Sequence, residues 1–421
     1  MSATGKPILG EPLTGFLPES EELFYARLDL AGVLQNCNEA FEKINGRTKD
    51  EMIGTPRSQR NHPRMPTLIN TLVDQALKRG EPASAYLCRT RPDGTEVWMI
   101  GVLLPYGEHV IAINFCPGTD LQIHIAELYA ELSRTTAGLP DEEAIDKFTD
   151  GLAKINFLHI TQFMAVSLWR EIQARCIRLD QEVDSRIDAI RRIYRGVLAL
   201  DAPVKSLCDV LKRAESVTNN MRLQALRLEG QKGPIGAIAD NHRMMSHDLS
   251  ALAAELNTNT FLSTEEVSRA AIFGGAERLV RDLIDGVSAH HMLPTPMSAK
   301  RGQVVDGALL NNAAKHFRSR NLEIAARIEN GANQLRKICT AIRRQMSALS
   351  LTRMMCEMER SKLPGSTDGL ASISSILDSS HSELAIAVDE IEDIVLRIDE
   401  ANRAFQSGFR QQTRELFQLT G

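Results

Sequence analysis

Two kinds of hydrophobic pattern divide the chain. Residues 23–36 (LFYARLDLAGVLQN) alternate apolar and polar positions in two short strand-like runs, parted at Asp29-Leu30-Ala31-Gly32, a hairpin signal. Helical runs follow at NEAFEKING and KDEMIG, the second closing on Gly54. In MPTLINTLVDQALKRG, Leu68, Leu72, Ala76 and Leu77 share one face and Gly80 ends the helix. SAYLCRTRPDGTEVWMIGVLLPYGEHVIAINFCP gives three strands joined by tight turns at RPDG and PYGEH. This order predicts an α+β domain: a five-stranded antiparallel sheet with flanking helices that enclose a cavity.

From Leu121 onward the spacing is helical throughout. It predicts helices over 121–136, 141–200, 203–229, 235–258 and 263–290, a break at MLPTPMSAKRGQ, then 303–362 and 369–418 around LPGSTDG. Helices of that length suit a rod more than a globule. The expectation is an elongated all-α bundle or coiled coil, with Asn and Arg at several inward heptad positions leaving a two-stranded coil and a multi-helix bundle both open. The predicted organisation is a loose arm (1–20), a sensor domain (21–118), a helical signalling region (119–290) with a hairpin near 215–258, and a long C-terminal helical hairpin (303–421).

Composition sharpens the division. Four of the five tyrosines and one of the two tryptophans precede residue 131, while the remainder is rich in helix formers. Apolar content of 43 % and charged content of 24 % are those of a soluble globular protein. A net charge of −5 argues against nonspecific nucleic-acid binding. Apolar runs fall short of a membrane span, and MSATGKPILGEP lacks the pattern of a secretion signal. Seven dispersed cysteines with no CxxC pair read as reduced thiols, which with the preceding points predicts a cytoplasmic location.

The N-terminal pattern resembles the PAS domain of the bacterial aerotaxis receptor and its chemoreceptor relatives. RLDLAGVLQNCNEAF is similar to that family's opening hairpin and Asn-Asp/Glu-x-Phe segment, with Asn38, Glu39 and Phe41 in place. INGRTKDEMIG matches its SGYSxEELIG run, and NHPRMP (61–66) its RHPDMP. TRPDGTEVWMIGVLLPY matches NGDxYWVxxxxxP, with Trp98 and Pro105 at the family spacing. The resemblance covers residues 22–117 and implies a cavity holding FAD, contacted by Asn38, Trp98, His62 and the preceding Asn61. Asn61, Arg64 and Val102 replace the family's Arg, Asp and Asn. On residue chemistry alone Trp98 suits a strand core as well as a cofactor slot. His62 suits a helix cap, a flavin contact or a haem ligand. Cys37 and Cys88 read as small buried hydrophobes. GTPRSQRNHP lacks the cysteine needed for blue-light adduct chemistry.

AESVTNNMRLQALRLEGQKGPIGAIADNHRMMS resembles a shortened chemoreceptor cytoplasmic tip, carried by Asn220, Leu223, Ala225, Gly230, Gly233, Ala239, Asp240 and Arg243. That resemblance implies docking of a chemotaxis kinase and its coupling protein. SHDLS (246–250) has the look of a phosphoacceptor box around His247, yet no Gly-rich nucleotide-binding boxes follow. His290-His291 has no third ligand at metal spacing. The sequence thus predicts a non-enzymatic, cytoplasmic, homodimeric sensor that relays a redox state or small ligand to a helical output. The alternatives are a phosphotransfer or flavin-dependent enzyme, and a helical scaffold whose PAS domain only dimerises.

Overall fold

The computed structural model describes residues 22–63, 65–229, 233–258, 264–291, 301–362 and 368–419. The arm (1–20), Arg64, Gly230 and most of the two predicted breaks (292–300 and 363–367) lie outside the described residues.

The first strands, β1 (Phe24–Asp29) and β2 (Leu34–Cys37), form the expected hairpin. Its turn closes because the Asp29 carboxylate accepts from the Ala31 and Val33 amides, both at 2.9 Å, while Gly32 takes a φ of 79° that a side chain disfavours. Helices α1 (Glu39–Asn45), α2 (Lys49–Met52) and α3 (Thr67–Lys78) follow, with a 3-10 turn at Arg57–Arg60. Strands β3 (Ala83–Thr90), β4 (Glu96–Tyr106) and β5 (His109–Phe115) complete an antiparallel sheet of order β2-β1-β5-β4-β3. The predicted five-stranded sheet with flanking helices is therefore present, and the rest of the chain is mainly helical.

Those helices are α4 (Leu121–Thr135), α5 (Asp141–Lys154), α6 (Ile160–Arg178), α7 (Ser185–Ala199), α8 (Asp201–Glu229), α9 (Pro234–Thr258), α10 (Thr264–His291), α11 (Arg301–Arg360) and α12 (Asp368–Leu419). The continuous helix expected over 141–200 is instead three. Asn156 and Asp180 stop the first two with φ of 67° and 52°, a left-handed conformation that Asn and Asp tolerate better than other side chains.

The chain divides into two compact units. The first joins residues up to 187 with 268–321, so the sheet domain shares its unit with α4–α6 and with parts of α10 and α11. The second takes in 188–267 and 322–421. Within it α8, α9, α11 and α12 share one core: Leu207, Val210 and Leu211 meet Leu249 and Ala253, then Ile338 and Ile342, then Val388 and Ile391. Cys208 Sγ reaches the Ala253 carbonyl and Arg222 pairs with Asp240 at 3.3 Å, so α8 and α9 run antiparallel. Arg343–Glu392 and Arg353–Asp378 set α11 antiparallel to α12. Four helices with one core fit the bundle alternative, not the two-stranded coil. No described helix is long and apolar enough to cross a membrane.

Candidate functional site

Strand alternation gives the sheet two different faces. Arg89 of β3 registers with Val97 of β4, and the next pair is Cys88 with Trp98. Arg89 and Trp98 therefore point to opposite sides.

The Arg89 side is the one covered by the short helices. Arg89 Nη1 donates to the Arg57 carbonyl and to Asn61 Oδ1, both at 2.6 Å. Arg57 itself donates to Asp74 Oδ1 at 2.5 Å, to Asn70 Oδ1 at 3.3 Å and to the Asn70 carbonyl at 3.2 Å. Arg60 Nη1 donates to Thr55 Oγ1 at 2.7 Å, and its guanidinium lies over the Phe41 ring, 5.9 Å from the centroid. Asn61 Nδ2 closes the set on Asn70 Oδ1 at 3.0 Å. Three arginines from the 3-10 turn and β3 thus converge beside α3, each only 6–7 % exposed.

Charge is poorly balanced in this cluster. The acceptors above include one carboxylate, that of half-exposed Asp74, which serves Arg57. Arg89 reaches a carbonyl and an amide oxygen only, and the Nε atoms of Arg60 and Arg89 are buried without a hydrogen-bond partner. Burial lowers the Arg89 pKa to about 9, with Arg60 and Arg57 adding repulsion. Burial likewise lowers Arg60 to about 10. The nearby Cys37 thiol cannot serve as counter-ion, since burial pushes its pKa up to about 11.

Of the residues expected from sequence, only Asn61 joins this cluster. Asn38 is the N-cap of α1: its Oδ1 accepts from the Phe41 and Tyr25 amides, each at 3.0 Å, and its Nδ2 donates to the Leu23 carbonyl at 2.8 Å. His62 anchors its loop, with its amide on the Cys88 carbonyl at 2.8 Å and its Nε2 3.0 Å from Glu96 Oε1. Trp98 lies on the other face, its ring 6.2 Å from that of Tyr129 in α4. Trp98 and Asn61, which bonds Arg89, therefore lie on opposite sides of the sheet. Among the described residues no group of three His, Cys, Asp or Glu could hold a metal ion. The arginines escaped the sequence reading, although RSQR followed by Arg89 at an inward strand position was a visible signal.

The Trp98 face is covered by helices of the same unit. Glu171 of α6 is fully buried and accepts from Tyr86 Oη of β3 at 2.7 Å, from the Gly118 amide at 2.5 Å and from the Thr119 amide at 3.2 Å, as well as from Thr119 Oγ1. Arg178 Nη2 donates to the Cys116 carbonyl at 3.3 Å. Residues 116–119, which lead from β5 into α4, are thus tied to α6. At the far edge, Asp306 of α11 accepts from Arg27 of β1 and Asn36 of β2, and Tyr106 of β4 packs on Phe317, 6.5 Å away.

A protein-family model described as the PAS fold matches residues 35–108. Similar solved structures include the PAS domain of a protein from Colwellia psychrerythraea, at 23 % identity over 22 % of this chain and 83 % of that one (TM-score 0.21). The light-state structure of the blue-light photoreceptor Aureochrome1 LOV matches at 15 % identity over 26 % and 91 % (TM-score 0.23). The PAS domain of an HTR-like protein from Haloarcula marismortui matches at 19 % over 23 % and 87 % (TM-score 0.20). With the sheet order above, the family match makes the N-terminal domain a PAS domain followed by a helical region.

Proposed function

We propose that this chain is a sensory signal-transduction protein. In this reading its PAS domain takes a small ligand on the Arg89 face, under α1–α3, and passes the change through the opposite face into α4 and α6. The observation that carries the reading is the four-donor seat of Glu171, which ties β3 and the exit from β5 to α6. Arg89 and Tyr86 belong to the same strand and point to opposite faces, so any shift of β3 is felt on both sides. The mechanism is a population shift between two packings of the sheet on α4 and α6, and the ligand acts by favouring one.

Output is by contact with another protein rather than by chemistry, from a homodimer, and a chemotaxis-type kinase complex is the partner that the tip-like α8–α9 sequence suggests. FAD is the ligand the aerotaxis resemblance offers; an absorption spectrum of the purified full chain with flavin bands would favour it, and a featureless one a colourless ligand. The relay is tested without knowing the ligand. Ala85 lies on the Arg89 face of β3, and Ala85→Leu perturbs that face alone. Hydrogen exchange over residues 116–129 should change in Ala85→Leu relative to the parent, and Ala85→Leu should change it less when both chains being compared carry Glu171→Gln. An unchanged joint in Ala85→Leu would remove the reading.

A further inference from the structure

The buried charge of the PAS interior points to the class of ligand, an inference that rests on and deepens the sensor reading. We propose that Arg60 and Arg89 bind the oxyanion of a small ligand, a carboxylate or a phosphate, with Thr55 and Asn61 holding the two guanidiniums in position.

A guanidinium offers five N–H groups in a planar fork, and an edge of two parallel donors matches the two oxygens of a carboxylate or phosphate. Arg89 spends Nη1 on two neutral acceptors and leaves Nε buried with no acceptor. Arg60 repeats the arrangement, with Nη1 on Thr55 and Nε without an acceptor. Both residues are more than nine-tenths buried. Water therefore does not solvate them as it would at the surface.

Local groups do not neutralise them either. Asp74 is bonded to Arg57 and is half exposed, and the Cys37 thiol stays protonated at neutral pH. A buried cation without a counter-ion is costly, and a fold that keeps two of them gains from an incoming anion what it lacks internally. A surface phosphate site built on lysines would lack this drive, since its cations are already hydrated.

Thermal unfolding of the full chain with sodium phosphate or sodium succinate, each against sodium chloride of matched ionic strength, tests the site. The expected result is a saturable rise of about 5 °C or more for the parent chain at a hundredfold excess over Kd. The rise should be lost in Arg89→Met and in Arg60→Met. Without added anion, Arg89→Met should melt at the parental temperature or above it, because methionine fills similar space and removes an unbalanced charge. Arg89→Lys keeps the charge but loses the fork, and should bind at least tenfold more weakly. It carries the test should the methionine variant not fold.

A rise with succinate alone assigns a carboxylate ligand, one with phosphate alone a phosphate, and one with both a site for either oxyanion. No saturable rise in the parent chain, or an equal rise in Arg89→Met, overturns the proposal. Hydrogen exchange over residues 116–129 in the same samples separates the two readings. Binding without a change at that joint leaves the anion site standing and removes the relay, while no binding leaves the relay to a ligand of another class.

Discussion

His242 of α9 sits inside the four-helix unit with 4 % of its surface exposed, and its environment predicts an acid-sensitive bundle. It lines a cavity of about 20 Å³, on the scale of one water molecule, with Leu211 of α8, Ser350 and Arg353 of α11, and His381 of α12. The groups facing it offer protonated imidazole little help. Arg353 is a cation whose partner is Asp378 at 2.5 Å, His381 is itself held below its ordinary pKa by burial and by Arg353, and Ser246 Oγ is buried with no hydrogen-bond partner. Burial lowers the His242 pKa from 6.5 to about 4. The folded-state value is the depressed one, so the unfolded chain takes the proton first. Stability from this residue is full above pH 6.5 and is lost as the pH falls toward 4. Between pH 7 and pH 5 the loss from His242 alone amounts to about 2 kcal/mol. Urea unfolding of parent and His242→Gln, followed by helical circular dichroism at both pH values, measures it: the parent should lose about 2 kcal/mol more than the variant. Equal losses, or a His242 ring that titrates near 6.5 by NMR of carbon-labelled histidine, would refute the reasoning.

Arg186 is 1 % exposed and bonds Asp184 at 2.5 Å and Glu277 at 2.7 Å, so Arg186→Met leaves two buried carboxylates only their longer contacts to Arg281, at 4.0 and 3.9 Å, and should cost about 3 kcal/mol in chemical denaturation. Asn38→Ala removes a helix cap and leaves the Tyr25 amide without its acceptor, and should lower PAS-domain stability by about 2 kcal/mol while leaving any bound chromophore's spectrum unchanged. A Cβ at Gly101 of β4 would collide with Asn114 Oδ1 and stand 3.0 Å from Leu87 Cδ1, so Gly101→Val should disrupt the sheet centre and raise proteolysis of the PAS domain relative to Gly94→Ala at the RPDG turn.

Local signals account for what could be read from sequence. The Asp29–Gly32 turn, the RPDG turn and the apolar strand runs of β3–β5 are each properties of a few consecutive residues, and each formed as expected. The break points within 141–200 were harder, because Asn156 and Asp180 sit in stretches whose apolar spacing is helical on both sides. The face that Trp98 takes was beyond such signals for a different reason. Alternation fixes that Trp98 and Val97 face opposite ways, but which face meets α1–α3 depends on the other elements that cover the sheet. The same gap hid the arginine cluster and the His242 cavity: residues 57, 60 and 89, or 242, 350 and 381, meet only after the chain has folded.

The placement of Glu171 also limits how the PAS sheet can move. A buried carboxylate with four donors is stabilised by hydrogen bonds of roughly 1.5–3 kcal/mol each, and removing them together would leave a bare charge in the interior. A ligand can shift an equilibrium only by the difference in its affinity for the two states. Complete release of Glu171 would demand a differential affinity of several orders of magnitude. The economical transition keeps the carboxylate seated and moves what it holds: Tyr86, Gly118 and Thr119 shift together with α6, and β3 moves against α3. Arg89 stands on the moving strand and Arg57, Arg60 and Asn61 on the segment beside it, held to it through Arg89 Nη1 and through the His62 amide on the Cys88 carbonyl. An oxyanion bridging Arg60 and Arg89 would draw those two segments together, and β3 would carry that displacement to the Tyr86 hydroxyl on its other face.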